Sequence, residues 1–228
     1  MTVTGEYFQP VRLHYRVFNQ QGLSRAFKKL RCVEYDPPQN RWVWLYEQEA
    51  RKLGFKRPYA GIPRHLHPIV IGSFFPRTND QLLLDLRSFD RARFAIPFFD
   101  KHVARSLAKV TEAEIVNKLF SATENSGLTP GAIFDHQTST CLDPTSTLKR
   151  LIEQTAHVQD PLQKLRIAME EVKSRANKPL PEIERFPVHF YEEGIKGFAG
   201  ALQVRQVLAL QHWLGNTEYS MLDVIHSI

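Results

Sequence analysis

Ile69-Val70-Ile71-Gly72-Ser73-Phe74-Phe75, Pro76-Arg77-Thr78-Asn79-Asp80 and Leu82-Leu83-Leu84-Asp85-Leu86 read as strand, turn and strand. β-Branched, aromatic and aliphatic side chains suit a pleated, half-buried surface. The five residues between them reverse the chain, because proline presets φ while Asn and Asp bond to their own backbone. An antiparallel hairpin is therefore predicted here. A second one precedes it, with Cys32-Val33-Glu34-Tyr35 and residues 41–46 flanking Asp36-Pro37-Pro38-Gln39-Asn40. Further upstream, Val11, Leu13, Tyr15 and Val17 alternate on one face of a strand within residues 8–18. A short helix over residues 23–30 carries Arg25, Lys28 and Lys29.

Downstream of the hairpin, Phe89, Ala92, Ile96, Phe99 and Val103 recur at helical spacing, with Ser88 placed as the N-cap. Pro97 lacks a backbone donor, which predicts a kink or an early end. Residues 107–110 read as a short strand, and Thr111-Glu112-Ala113-Glu114 as a capping box opening a helix to Phe120. Residues 123–147 hold Gly127, Pro130, Gly131 and Pro144 among many Ser and Thr, and read as a linker.

Beyond the linker the pattern is helical. Leu148, Leu151, Ile152 and Thr155 form one stripe, and Leu162, Leu165, Met169 and Val172 another that follows the helix start Asp160-Pro161. After a Pro-rich break at 177–187, residues 195–214 are apolar on most faces, and a last helix fills 217–228. Gly194, Gly197 and Gly200 fall at the start of the apolar helix, where close helix packing accounts for them better than a dinucleotide. The expected fold is α+β: antiparallel hairpins with packed helices in a basic domain over residues 1–122, then a linker-like segment, then a helical region over 148–228 docked on the first part.

The chain has 228 residues, 43% of them hydrophobic, and its 15 Phe, 7 Tyr and 3 Trp supply a core that rules out disorder throughout. No run approaches the ~18 apolar residues of a membrane span, so no membrane partner is expected. The first residues lack a secretory pattern. Cys32 and Cys141 belong to no CxxC pair and are expected as reduced, buried thiols of a cytoplasmic protein.

Charge is unevenly spread. Residues 1–110 carry 19 Lys/Arg against 9 Asp/Glu, and residues 111–228 carry 11 against 15. A basic half suggests an anionic partner, nucleic acid above all. The leading expectation is a non-enzymatic binding or regulatory protein whose basic half contacts nucleic acid or another polyanion through Arg57, Arg64, Arg87, Arg91 and Arg93. The helical half would bind protein or self-associate. Arg25, Lys28, Lys29 and Arg31, with Trp42 and Trp44 on one strand face, add a basic and aromatic surface of the kind that stacks exposed bases.

The alternative is a metal-dependent hydrolase of a phosphodiester or phosphate. His65 and His67, two apart in a Pro-rich loop, could share a metal on one side of an extended chain, with Asp85 as their acidic partner. Other chemistries lack their signatures. GxxxxGK[ST], GxSxG and HExxH do not occur, and the one acid-x-Lys match, Glu171-Val172-Lys173, falls in a helical stretch. No cofactor is implied.

Overall fold

The computed structural model describes residues 1–78, 80–121, 124, 127–188 and 195–227. Among these, eight strands form one sheet: β1 (Val11–Val17), β2 (Val33–Asp36), β3 (Arg41–Leu45), β4 (Val70–Thr78), β5 (Gln81–Leu86), β6 (Ala108–Val116), β7 (Thr140–Cys141) and β8 (Ile183–Pro187). The order across the sheet is β2-β3-β4-β5-β1-β6-β8-β7, antiparallel except for the β7–β8 pair. Helices are α1 (Gln20–Lys29), α2 (Phe89–His102), α3 (Pro130–His136), α4 (Pro144–Thr155), α5 (Pro161–Ala176), α6 (Ile195–Trp213) and α7 (Met221–Ser227). The α+β class holds, and most of the sheet comes from the N-terminal half.

Both predicted hairpins form, as β2–β3 and β4–β5. Asn79, in the turn of the second, lies outside the described residues. Val11, Leu13, Tyr15 and Val17 share a buried face of β1. Leu82, Leu84 and Leu86 of β5 and Phe74 of β4 continue that face, and α1, α2 and α6 cover it with Leu23, Phe27, Phe89, Phe99, Phe198 and Leu202. Gly72 lies where no side chain fits. A Cβ there would sit 2.6 Å from Leu86 Cδ2, 2.9 Å from Leu84 Cδ1 and 3.1 Å from the Asp85 carbonyl oxygen. Both leucines are fully buried, so they have little room to yield. Gly72→Ala is expected to cost about 1–3 kcal/mol by overpacking. Urea unfolding reads this directly, and an unchanged midpoint would show that the leucines repack without penalty.

The second sheet face is polar. Asp85, Arg12, Glu114 and Arg185 stand in a row across β5, β1, β6 and β8, alternating in charge. Cross-strand neighbours of opposite sign stabilise a sheet. Arg12 donates to both Asp85 carboxylate oxygens, at 2.6 and 2.9 Å, and to Asp135 of α3 at 2.6 Å, which ties α3 down over this face.

Several expectations are corrected. Residues 111–116 extend β6 instead of starting a helix. β6 lies between β1 and β8, so residues 112–115 have ladder partners on both sides while Thr111 occupies the register shift opposite His14 and Tyr15, and Glu112 and Glu114 are held by Arg185 and His14. Helix α2 runs past Pro97 to His102; Pro97 is solvent-exposed, where water can satisfy the carbonyl that its missing N–H leaves free. The linker-like segment contains α3 and β7. Gly194 lies outside the described residues, and a Cβ at Gly200 would meet nothing within 4 Å, so close packing does not account for that glycine. Cys32 is buried, with its thiol pushed up to about 12 by desolvation and by Glu49, but Cys141 is exposed.

The helix caps hold, α1 starts three residues earlier than expected, and the last helix starts later than expected, at Met221. Ser88 caps α2 and Asp160 caps α5 through their side chains, and Gly215 supplies the positive φ (+96°) that follows α6. Among the described residues no helix is long and apolar enough to cross a membrane.

Candidate functional site

The five anion-contact arginines do not all reach the surface. Arg91 is buried in the core: it donates to the carbonyls of Val70 and Ile71 at 3.0 and 2.9 Å and to Thr4 Oγ1 at 2.8 Å. It cannot meet a ligand at the surface. A sequence reading sees Arg91 as one turn of a basic helix face, whereas the helix turns it inward beside Ala92 and Ala95. Arg93 is exposed but paired with Asp90 at 3.2 Å. Arg57, Arg64 and Arg87 are exposed and make no ion pair among the described residues.

The histidine loop is knitted to its own surroundings. The Tyr59 hydroxyl donates to Glu47 at 2.6 Å, and the His67 ring packs on Tyr59 with centroids 4.6 Å apart while its Nε2 donates to the Ile62 carbonyl at 3.2 Å. Burial works against the Glu47 charge, but the bonds from Tyr59 and Arg51 outweigh it and hold the carboxyl below its ordinary range. His65 is exposed. Asp85 belongs to a different network, with both oxygens taken by Arg12 on the polar sheet face. Among the described residues no three His, Cys, Asp or Glu side chains cluster as metal ligands. His65, His67 and Asp85 therefore do not assemble the hydrolytic centre that their spacing suggested.

A different site stands out, at the β2–β3 end of the sheet. An open cleft of about 600 Å³ lies between α1 and the strands below it. Two local features hold α1 there. Asn19 caps it by accepting from the Gly22 N–H at 2.8 Å. Gly22 lies so near Leu107 that a Cβ would come within 2.6 Å of its Cδ2. Leu23 and Phe27 then bury one side of the helix, and Gln21, Ser24, Arg25 and Lys28, three and four residues apart, line the cleft.

The opposite wall is aromatic. Trp42 packs edge-on against Phe27 with centroids 5.5 Å apart and against Tyr35 at 4.9 Å, and the Tyr35 hydroxyl donates to Asn40 Oδ1 at 3.0 Å. Asn40 is in the left-handed region at φ 45°, which closes the β2–β3 turn and brings its side chain back to Tyr35. Trp42 is half-buried and Tyr35 is 47% exposed, so aromatic surface remains open to the cleft. Trp44, two residues on, is fully buried against Phe98 and Phe99. The two tryptophans share a strand face but not a role. Trp42 lies beside Phe27 of α1 at the cleft, whereas Trp44 lies under α2.

Apart from Tyr35, Asn40 and Thr78, whose side chains are engaged, polar groups of the cleft are uncommitted. Arg25 and Lys28 form no ion pair, and the side chains of Gln20, Gln21, Ser24 and Gln81 and the Trp42 indole N–H make no hydrogen bond, among the described residues. Such groups are available to a ligand carrying a flat π-face, hydrogen-bonding edges and negative charge. Half of this site is visible in the sequence, since Arg25, Lys28 and Trp42 carry its basic and aromatic character. Tyr35 and the glutamines carry no such signal. Comparison with protein-family models, curated proteins and solved structures finds no match to this chain.

Proposed function

We propose that this is a non-enzymatic binding protein for single-stranded nucleic acid, with a base stacked in the cleft against Trp42 and Tyr35 and the flanking phosphates met by Arg25 and Lys28. The observation that carries the reading is the meeting of exposed aromatic faces with unpaired cations in one cleft. Single strands are bound in this way, by base stacking beside a positively charged track. A duplex offers no free π-face, so the open cleft favours unpaired bases. The surplus positive charge of residues 1–110 supplies long-range attraction, to which Arg57, Arg64, Arg87 and Arg93 contribute as exposed charges. No reaction is assigned, because the carboxylates of the polar face are held in ion pairs.

Fluorescence anisotropy with a labelled single-stranded oligonucleotide, between about 50 and 200 mM salt, tests this reading. Affinity should fall steeply over that range. Trp42→Ala should weaken binding about 5- to 150-fold, from the ~1–3 kcal/mol that one stacked base contributes. Arg25→Gln with Lys28→Gln should flatten the salt slope by about 0.7 for each phosphate no longer neutralised. Absence of binding at about 50 mM salt, or an unaltered affinity in Trp42→Ala, would overturn the proposal.

A further inference from the structure

Helices α4 and α5 pack side by side and hold each other through polar contacts: Arg150 and Arg175 both meet Glu171, and Arg175 Nη1 donates to Thr147 Oγ1 at 2.9 Å. Six apolar residues of the two helices are left outside. Leu148 and Ile152 of α4 and Leu162, Leu165, Met169 and Val172 of α5 are each more than half exposed. Together they leave roughly 400 Å² of apolar surface in water by the transfer scale. Scattered exposed leucines are ordinary, but apolar residues lined up along one helix face read as an interaction stripe. On α5 the spacing alternates between three and four residues, the repeat of a seam that receives another helix. The seam is narrow and carries no aromatic residue, unlike the broad Trp- and Phe-bearing face of a helix that lies in a membrane surface.

Charge selects the occupant. Arg166 and Lys173 border the α5 seam and Lys149 borders that of α4, each about a quarter turn away at ~100° per residue. None of the three forms an ion pair among the described residues. The acidic Glu153 and Glu170 lie about a third of a turn from the seams, and Glu171 is engaged by the two arginines. A second copy would bring the same cations to both borders and no acid to meet them. We propose that the α5 seam docks an acidic amphipathic helix of a partner protein, with leucine-like residues in the seam and carboxylates beside Arg166 and Lys173. Border charges of this kind set partner choice in helix pairing.

The full-length protein should be titrated against a labelled synthetic three-heptad peptide with Leu at both seam positions and Glu at both border positions, and against its Lys-bordered counterpart. The Glu peptide should bind saturably and at least ten-fold more tightly than the Lys peptide. Leu165→Asp should weaken binding at least ten-fold. Arg166→Glu with Lys173→Glu should reverse the preference between the peptides; all three residues are exposed, and circular dichroism checks that the fold persists. Equal binding of both peptides, or of neither, overturns the proposal. So does a dimer in sedimentation that Leu165→Asp abolishes, which gives the seam to a second copy. Tighter association with vesicles of phosphatidylcholine and phosphatidylserine than with the Glu peptide overturns it in favour of a membrane.

Discussion

Arg91→Met is expected to lower the stability of the protein by about 3–5 kcal/mol, the cost of stripping one partner from a buried ionic contact. The guanidinium is 2% exposed, and its Nε lies 3.8 Å from Oε2 of Glu6, which is itself fully buried. Burial pulls the guanidinium down to about 10, with Glu6 acting in the opposite sense, so it stays charged at neutral pH. Thr4 Oγ1 donates to the same carboxylate oxygen at 2.7 Å, and the Thr2 hydroxyl also meets it. Methionine keeps much of the volume but leaves the Glu6 carboxylate without a cation and the Val70 and Ile71 carbonyls without their donor. For a chain of this size the midpoint of thermal unfolding should drop by roughly 2–4 °C per kcal/mol. Adding Glu6→Gln to Arg91→Met should recover part of the loss, because it removes the uncompensated charge. A single variant that loses less than about 1 kcal/mol would mean that water reaches this site.

Asp85→Asn should be nearly as costly, again about 3–5 kcal/mol, while Asp135→Asn should cost about 1 kcal/mol or less. The two carboxylates share one guanidinium and differ in burial. Asp85 has 5% of its side chain exposed and Asp135 has 42%. Desolvation raises the Asp85 carboxyl against the pull of Arg12, whereas Arg12 itself is held above its ordinary value, the bonds to both aspartates outweighing its own burial. The bidentate geometry keeps the Arg12–Asp85 pair ionised at neutral pH. For Asp135, burial opposes the charge, but Arg12 and Arg77 prevail and lower its carboxyl. Its contribution is therefore present above the ordinary aspartate range and is lost as pH falls toward the depressed value, modestly because solvent screens it. Denaturant unfolding of both variants checks the contrast. Equal losses would show that the network, not burial, sets the energy.

The parts of the fold that could be read from the sequence are those where local chemistry and tertiary demand agree. The β4–β5 hairpin has strand residues on both sides of turn residues, and Ser88 and Asp160 cap the helices that they precede. Residues 111–116 misled because Thr111 and Glu114 have helix-start chemistry, while pairing on both sides of β6 depends on Arg12, His14 and Arg185, remote in sequence. Arg91 could not be told from Arg93 by composition, since only its turn of the helix faces the core. The cleft was half legible: Trp42 and the cations of α1 were visible as residue types. That Trp42 and not Trp44 remains open follows from α2, whose Phe98 and Phe99 cover Trp44.

The central position of β1 in the sheet has a consequence for how the chain folds. Its two ladders close with residues 81–86 on one side and 108–116 on the other, so the middle of the sheet waits for strands some 65 to 105 residues away. The run from β2 to β5 is a meander of neighbours, the low-contact-order unit able to organise early. Loop closure over the longer separations is slow and leaves apolar surface uncovered while it proceeds. Strand β1 is thus made before both of its partners yet is among the last to be enclosed, and Val11, Leu13 and Tyr15 depend on timely arrival of β5 and β6 to escape mispairing.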